Sequence, residues 1–295
     1  MEFVRTPDER FAALPDWPYA PKYIEGLPGY GEMRMHYVDE GPRDGEVLLC
    51  LHGEPTWSYL YRKMIPVFTT AGYRVVAPDW FGFGRSDKPI DDAVYTWDFF
   101  RNSLFAFLDA VKLERFGLVC QDWGGLLGLT IPVDRPDAIQ RLLIMNTALA
   151  TGQAPSAGFE AWRAFVASQP DIDVGRLMQR SAGLDEATAA AYSAPFVDQS
   201  YKGGVRRFPA LVATDPDMDG AQTARAAVKW WAQSWSGPTF MAIGVEDPVL
   251  GPDVMEKMRG VINGCPEPMK VQAGHFVQEA GEAVAKAALA AWAAR

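Results

Sequence analysis

Seven consecutive residues, Val119-Cys120-Gln121-Asp122-Trp123-Gly124-Gly125, have the side chains and the spacing for chemistry. The β-rich run from Arg115 to Cys120 stops at Gln121, and an apolar helix-forming stretch, Leu126 to Val133, begins just past Gly125. A strand that ends in a small-x-nucleophile-x-Gly turn before a helix is a nucleophile elbow, which lifts one side chain above a parallel sheet. The usual occupant of that position is Ser; here it is Asp122. A carboxylate is ionised at pH 7 without help from a base. It can displace a leaving group from saturated carbon or open an epoxide, and the product is an ester on the enzyme that water must later cleave.

Cleaving that ester calls for a base, and the chain holds only three histidines, His36, His52 and His275. His36 falls in an early strand remote from the site and reads as structural. His52 belongs to the turn after a core strand and reads as shaping it. His275 lies near the C-terminal end of the last strand, where a general base could meet the elbow. Asp247, in the loop after the strand before it, could orient His275 by accepting its second ring proton. Asp is also common in such loops for turn geometry alone.

These residues need a scaffold. Strands are predicted at Met33–Asp39, Val47–Leu51, Arg74–Pro78, Phe116–Cys120, Arg141–Met145, Thr239–Ile243 and Met269–Val271, with helical text between most of them. Continuous apolar strands alternating with helices imply an α/β fold with a mostly parallel sheet covered on both faces, and the first, alternating strand suggests an antiparallel edge. Between Leu149 and Val228 no strand is evident, and helical text is broken at Pro155, Pro170, Pro195 and Pro209. Such an insertion reads as a lid over the strand C-termini. The expected division is a core of residues 1–148 and 229–295 with a helical cap of residues 149–228. The terminal run Glu279–Arg295 reads as an amphipathic packing helix.

Composition narrows the partners. With 295 residues, 48% hydrophobic and 12% aromatic, the chain can bury a large core. A net charge of -9 argues against nucleic acid or an anionic membrane. No run approaches the roughly 18 apolar residues of a membrane span, and the N-terminus has no apolar h-region. Cys50, Cys120 and Cys265 are widely spaced and read as reduced thiols, so the expected location is the cytoplasm. Three scattered histidines and no carboxylate cluster leave no metal site to expect.

The segments His52-Gly53-Glu54-Pro55, Gln121-Asp122-Trp123-Gly124-Gly125, Gly244-Val245-Glu246-Asp247 and Gly274-His275-Phe276, in this order, resemble the α/β-hydrolase superfamily and within it the haloalkane dehalogenases. The similarity runs from about residue 20 to the C-terminus and is weakest in the lid. It implies an α/β-hydrolase fold with an inserted helical cap, and hydrolysis of carbon–halogen bonds without a cofactor. Asp122 is then the nucleophile, His275 the base and Asp247 the acid that orients it. That family places its acid in one of two slots, and the earlier slot here carries neutral Asn146. The oxyanion hole would be the backbone N–H groups of Glu54 and Trp123. A leaving halide in an apolar pocket needs donors, which the indoles of Trp123 and, from the lid, Trp162 would supply. Trp162 also reads as lid packing, and Trp57, Trp80, Trp97, Trp230, Trp231 and Trp235 as core or pocket wall. The implied partners are a small apolar halogenated substrate and a halide ion. An epoxide hydrolase shares the Asp nucleophile, and its lid acids could be Tyr192 and Tyr201. A ligand sensor on the same scaffold would have no use for a complete triad.

Overall fold

The computed structural model describes residues 1–294; Arg295, the last residue of the expected terminal helix, lies outside them. Eight strands form one sheet: β1 (Lys22–Ile24), β2 (Met35–Glu40), β3 (Val47–Leu51), β4 (Arg74–Pro78), β5 (Phe116–Gln121), β6 (Ile139–Met145), β7 (Thr239–Gly244) and β8 (Met269–Val271). Their spatial order is β8-β7-β6-β5-β3-β4-β2-β1. All neighbours from β8 to β4 run parallel, and β2 is antiparallel to both β4 and β1. The antiparallel edge expected from the alternating text is therefore present. The central strands read Val-Leu-Leu-Cys-Leu and Phe-Gly-Leu-Val-Cys-Gln with nearly every residue buried, because helices cover both faces. Cys50 and Cys120 are buried thiols of these two strands.

The helices are α1 (Ile65–Thr70), α2 (Trp97–Ala110), α3 (Trp123–Gly128), α4 (Ala157–Ser168), α5 (Val174–Ala182), α6 (Glu186–Ser193), α7 (Gly203–Leu211), α8 (Ala221–Gln233), α9 (Pro252–Val261) and α10 (Gly281–Ala293). Helices α4 to α8 all fall between β6 and β7, which makes the strandless stretch a helical cap inserted into the sheet. No helix among the described residues is long and apolar enough to cross a membrane.

Three local expectations need correction. Strand β2 starts at Met35, not Met33, because Met33 N–H closes a turn onto Tyr30 O and Arg34 N–H donates to the Asp87 carboxylate. The helix expected from Leu126 to Val133 is α3 followed by a separate 3₁₀ turn, Ile131–Val133, interrupted before Pro132. Pro209 does not break a helix; it sits inside α7, in the last turn before the chain extends at Val212. Pro170 and Pro195 do lie between helices, and Pro155 precedes α4.

The sheet order places the site. The chain passes from β3 to β4 on one side, then returns to put β5 on the other side of β3. Ligands of open α/β sheets collect outside the strand C-termini at such a reversal. The two strand ends that meet there carry His52-Gly53-Glu54 and Asp122.

A buried ion pair within the core anchors the cap through Tyr192. Arg62, 3% exposed, meets Glu279 in a bidentate pair at 2.8 and 2.7 Å, and Tyr192 of α6 donates to the same carboxylate at 2.6 Å. Lys63 adds a 3.0 Å contact. Burial would push the Glu279 carboxyl up, but Arg62, Tyr192 and Lys63 together hold it below the ordinary range. Replacing Arg62 by Met is expected to cost about 3 kcal/mol, the lower end for a broken buried pair because Lys63 remains. A depressed carboxyl contributes stability above its unfolded pKa and loses it as pH falls. Thermal unfolding should therefore show a gap between wild type and Arg62→Met at pH 7 that narrows below about pH 4.

Candidate active site

Asp122 stands at the tip of the turn between β5 and α3 with φ 51° and ψ -126°, a backbone region that costs a non-glycine residue energy. The turn is held from several sides. Asp122 N–H donates to Asn146 O at 3.0 Å, and its carbonyl accepts from Gly125 N–H, Leu126 N–H and the Thr147 hydroxyl at 2.9, 3.0 and 2.7 Å. Two glycines permit the packing. A Cβ on Gly53 would overlap the Asp122 side chain, and one on Gly124 would overlap Leu51 O at the end of β3.

The Asp122 carboxylate is aimed by two groups. Glu54 N–H donates to Oδ1 at 2.7 Å, and His275 Nε2 lies 3.5 Å from Oδ2. His275 in turn donates from Nδ1 to Asp247 Oδ2 at 2.7 Å. Asp247 receives further donors, Val249 N–H on Oδ1 and Asn146 Nδ2 on Oδ2, both at 2.8 Å. Burial alone would raise the Asp247 carboxyl, but His275 and these donors bring it down to about 2. For His275 burial favours the neutral ring. The facing carboxylates of Asp247 and Asp122 outweigh burial and raise the ring above its ordinary range.

Glu54 differs from both acids. It is 5% exposed, its Oε1 has no partner among the described residues, and the Asp122 charge lies beside it. Burial and then that charge raise it well above the usual carboxyl range, with the Trp162 indole working against them. The Glu54 side chain and its backbone N–H both stand at the Asp122 carboxylate.

A cavity of about 670 Å³ opens over the carboxylate. Asp122, Trp123, Glu54, Asp247 and His275 line it together with apolar Leu126, Leu149, Phe159, Val212 and Phe276. Trp123 is 1% exposed and stacks on Phe208 of α7, rings 4.2 Å apart and 8° from parallel. Trp162 of α4 also lines it, beside the Glu54 carboxyl. Tyr192 and Tyr201 are not among the lining residues; the Tyr192 hydroxyl is used by Glu279 and Arg62. His36 is buried against Asp79 at 2.8 Å, and His52 bonds Gly53 O and Trp80 N–H, so both serve the scaffold. Among the described residues no three His, Cys, Asp or Glu side chains are grouped to hold a metal.

Two residues here were not given roles by sequence reasoning. Asn146 spans Gly244 and Asp247, donating to Gly244 O and accepting from Gly244 N–H, so its neutrality suits a cross-brace. Gln121 places its amide nitrogen 2.8 Å from His275 Nε2 and 3.2 Å from His275 O. Asn146 was at least marked by its position at the end of β6. Nothing in the local text marked Gln121.

The α/β-hydrolase fold family model matches residues 46–282. A haloalkane dehalogenase of Psychrobacter cryohalolentis is 43% identical over 97% of this chain and 96% of its own length. One from Mycobacterium marinum is 42% identical over 95% of each. Among solved structures, a haloalkane dehalogenase of Paraglaciecola agarilytica superposes with a TM-score of 0.96 at 52% identity, covering 98% of both chains. None of these likenesses supports an epoxide hydrolase, in keeping with two tyrosines that stand outside the cavity. With Asp rather than Ser at the elbow, and a likeness that runs through sheet and inserted helices alike, the chain belongs to the haloalkane dehalogenases, α/β-hydrolases that act on carbon–halide bonds.

Proposed function

We propose that Asp122 attacks the halogen-bearing carbon of a small haloalkane in line with the departing halide. The observation that carries this is the Asp122 carboxylate held between Glu54 N–H and His275 at the floor of a largely apolar cavity. One Asp122 oxygen forms the new C–O bond as the C–X bond breaks, and the bonding pair leaves on the halide. The indole N–H groups of Trp123 and Trp162, both on the cavity lining, solvate that ion where water is excluded.

Alkylation removes the Asp122 charge. One of the two carboxylates that favour protonated His275 is thereby lost, and the ring moves toward its neutral form when a base is required. Neutral His275, its Nδ1–H held by Asp247, takes a proton from water, and the resulting hydroxide adds to the Asp122 carbonyl carbon. The oxyanion sits at the position now occupied by Oδ1, where Glu54 N–H already points, with Trp123 N–H as the second donor. Collapse expels the alkoxide, which takes the proton from His275. The carboxyl left on Asp122 ionises, and alcohol, halide and one proton depart. Residues 149–228 serve as the cap that closes this chamber, with residues 1–148 and 229–295 as the core. The negative charge and apolar cavity favour a neutral small substrate over nucleic acid, in a cytoplasmic setting.

His275 acts only in the second half-reaction. With 1-bromobutane, His275→Phe should accumulate a butyl adduct on Asp122 in intact-mass spectra; an enzyme that stays unmodified overturns the two-step assignment. Trp162→Phe removes one donor to a charged acceptor, a loss on the order of 1.5–3 kcal/mol. Bromide titrations followed by tryptophan fluorescence should then show binding weakened by roughly ten- to a hundredfold.

A further inference from the structure

We propose that Gln121 is a positioning residue for the base: its amide N–H donates to the Nε2 lone pair of His275 and holds the ring in the form that can accept a proton from water. The proposal rests on the roles of Asp122 and His275 given above. Asp247 can only accept from His275 Nδ1, so Nδ1 carries a hydrogen. Gln121 Nε2 lies 3.2 Å from the His275 carbonyl oxygen, which also can only accept, so the nitrogen edge of the amide faces that way. The same nitrogen is 2.8 Å from His275 Nε2, which accepts its other hydrogen when the ring is neutral. The opposite amide orientation would set two acceptor oxygens against each other. The Gln121 Oε1 is buried without a partner among the described residues, so no bond of its own dictates the arrangement. Gln121 is itself fully buried at the last position of β5, in register with Met145.

The two carboxylates in contact with His275 pull the other way: Asp247 and Asp122 both favour the imidazolium. Burial holds the Glu54 carboxyl well above its usual range, and Glu279 is paired with Arg62 and Lys63. Glu246 and Lys257, one of each sign, also line the cavity, while the cap residues Leu177 and Ser181 carry no charge. Burial favours the free base, and among the ring's hydrogen-bonding partners in the described residues Gln121 alone acts the same way. Protonation of Nε2 breaks its hydrogen bond, and loss of that proton to the departing alkoxide restores it.

The test is the pH dependence of ester decay. After rapid mixing with limiting 1-bromobutane, the alkylated enzyme is quenched and followed by intact mass in wild type, Gln121→Met and Gln121→Glu. Without the N–H donor, Gln121→Met should shift the acid limb upward by about one pH unit, which is about tenfold slower decay below the limb. Gln121→Glu, which accepts from protonated Nε2, should shift it further. A ¹⁵N titration of the ring should show the same order, and only three histidines need assignment. An unchanged or lowered limb in Gln121→Met overturns the proposal, as does a Gln121→Glu limb at or below wild type if the Met variant does not fold. His275→Phe separates the failures: a trapped adduct there with no Gln121 effect removes this proposal alone, whereas no adduct removes the reading on which it rests.

Discussion

The site depends on one close approach: the end of β3 pressed against the turn that follows β5. Gly53 lies against the Asp122 side chain and Gly124 against Leu51 O, each without room for a further carbon. That contact brings Glu54 N–H within 2.7 Å of the carboxylate and keeps Asp122 in a backbone state it would not hold alone. The strain is sustained by hydrogen bonds with Asn146 O, the Thr147 hydroxyl and the first turn of α3, so neighbouring strands β3, β5 and β6 each contribute one side of the grip. A carboxylate fixed in this way needs no reorientation when substrate arrives.

Three acids within one chamber are given three settings by their surroundings. Asp247 is held low in pKa because His275, Asn146 and Val249 N–H surround it. Glu54 is pushed well above the usual carboxyl range by burial and then by the Asp122 charge. Asp122 has one backbone donor and a histidine at a longer distance. The division resembles acid–base pairs set apart by environment elsewhere in enzymology, where like groups acquire unlike duties from their neighbours.

The family and the arrangement of the candidate site were legible in the sequence where the signals were local. The elbow, the Gly-His segment after β8 and the acid after β7 are each written within a few consecutive residues, and the sheet topology follows from where apolar runs recur. What was not legible depends on contacts between distant segments. Gln121 and His275 are 154 positions apart, and only the parallel register of the central strands brings them together. Pro209 reads as a helix breaker from propensity, yet α7 carries it in its final turn while Phe208 stacks on Trp123. Tyr192 offered itself as a lid acid by composition; its partner Glu279 turns it away from the chamber and into a clasp.

That clasp also divides the cap into a fixed side and a loose one. Helix α6 buries Thr188, Ala189, Ala191 and Tyr192, and Trp57 Nε1 bonds Ala191 O from the core, so this edge moves only with the segment that carries the base. Helix α4 buries a single residue, Val166, and sets Trp162 on the cavity lining. Low burial marks the cheaper edge to open. With Trp162 holding the leaving halide as proposed, releasing the ion and opening that edge would be one motion.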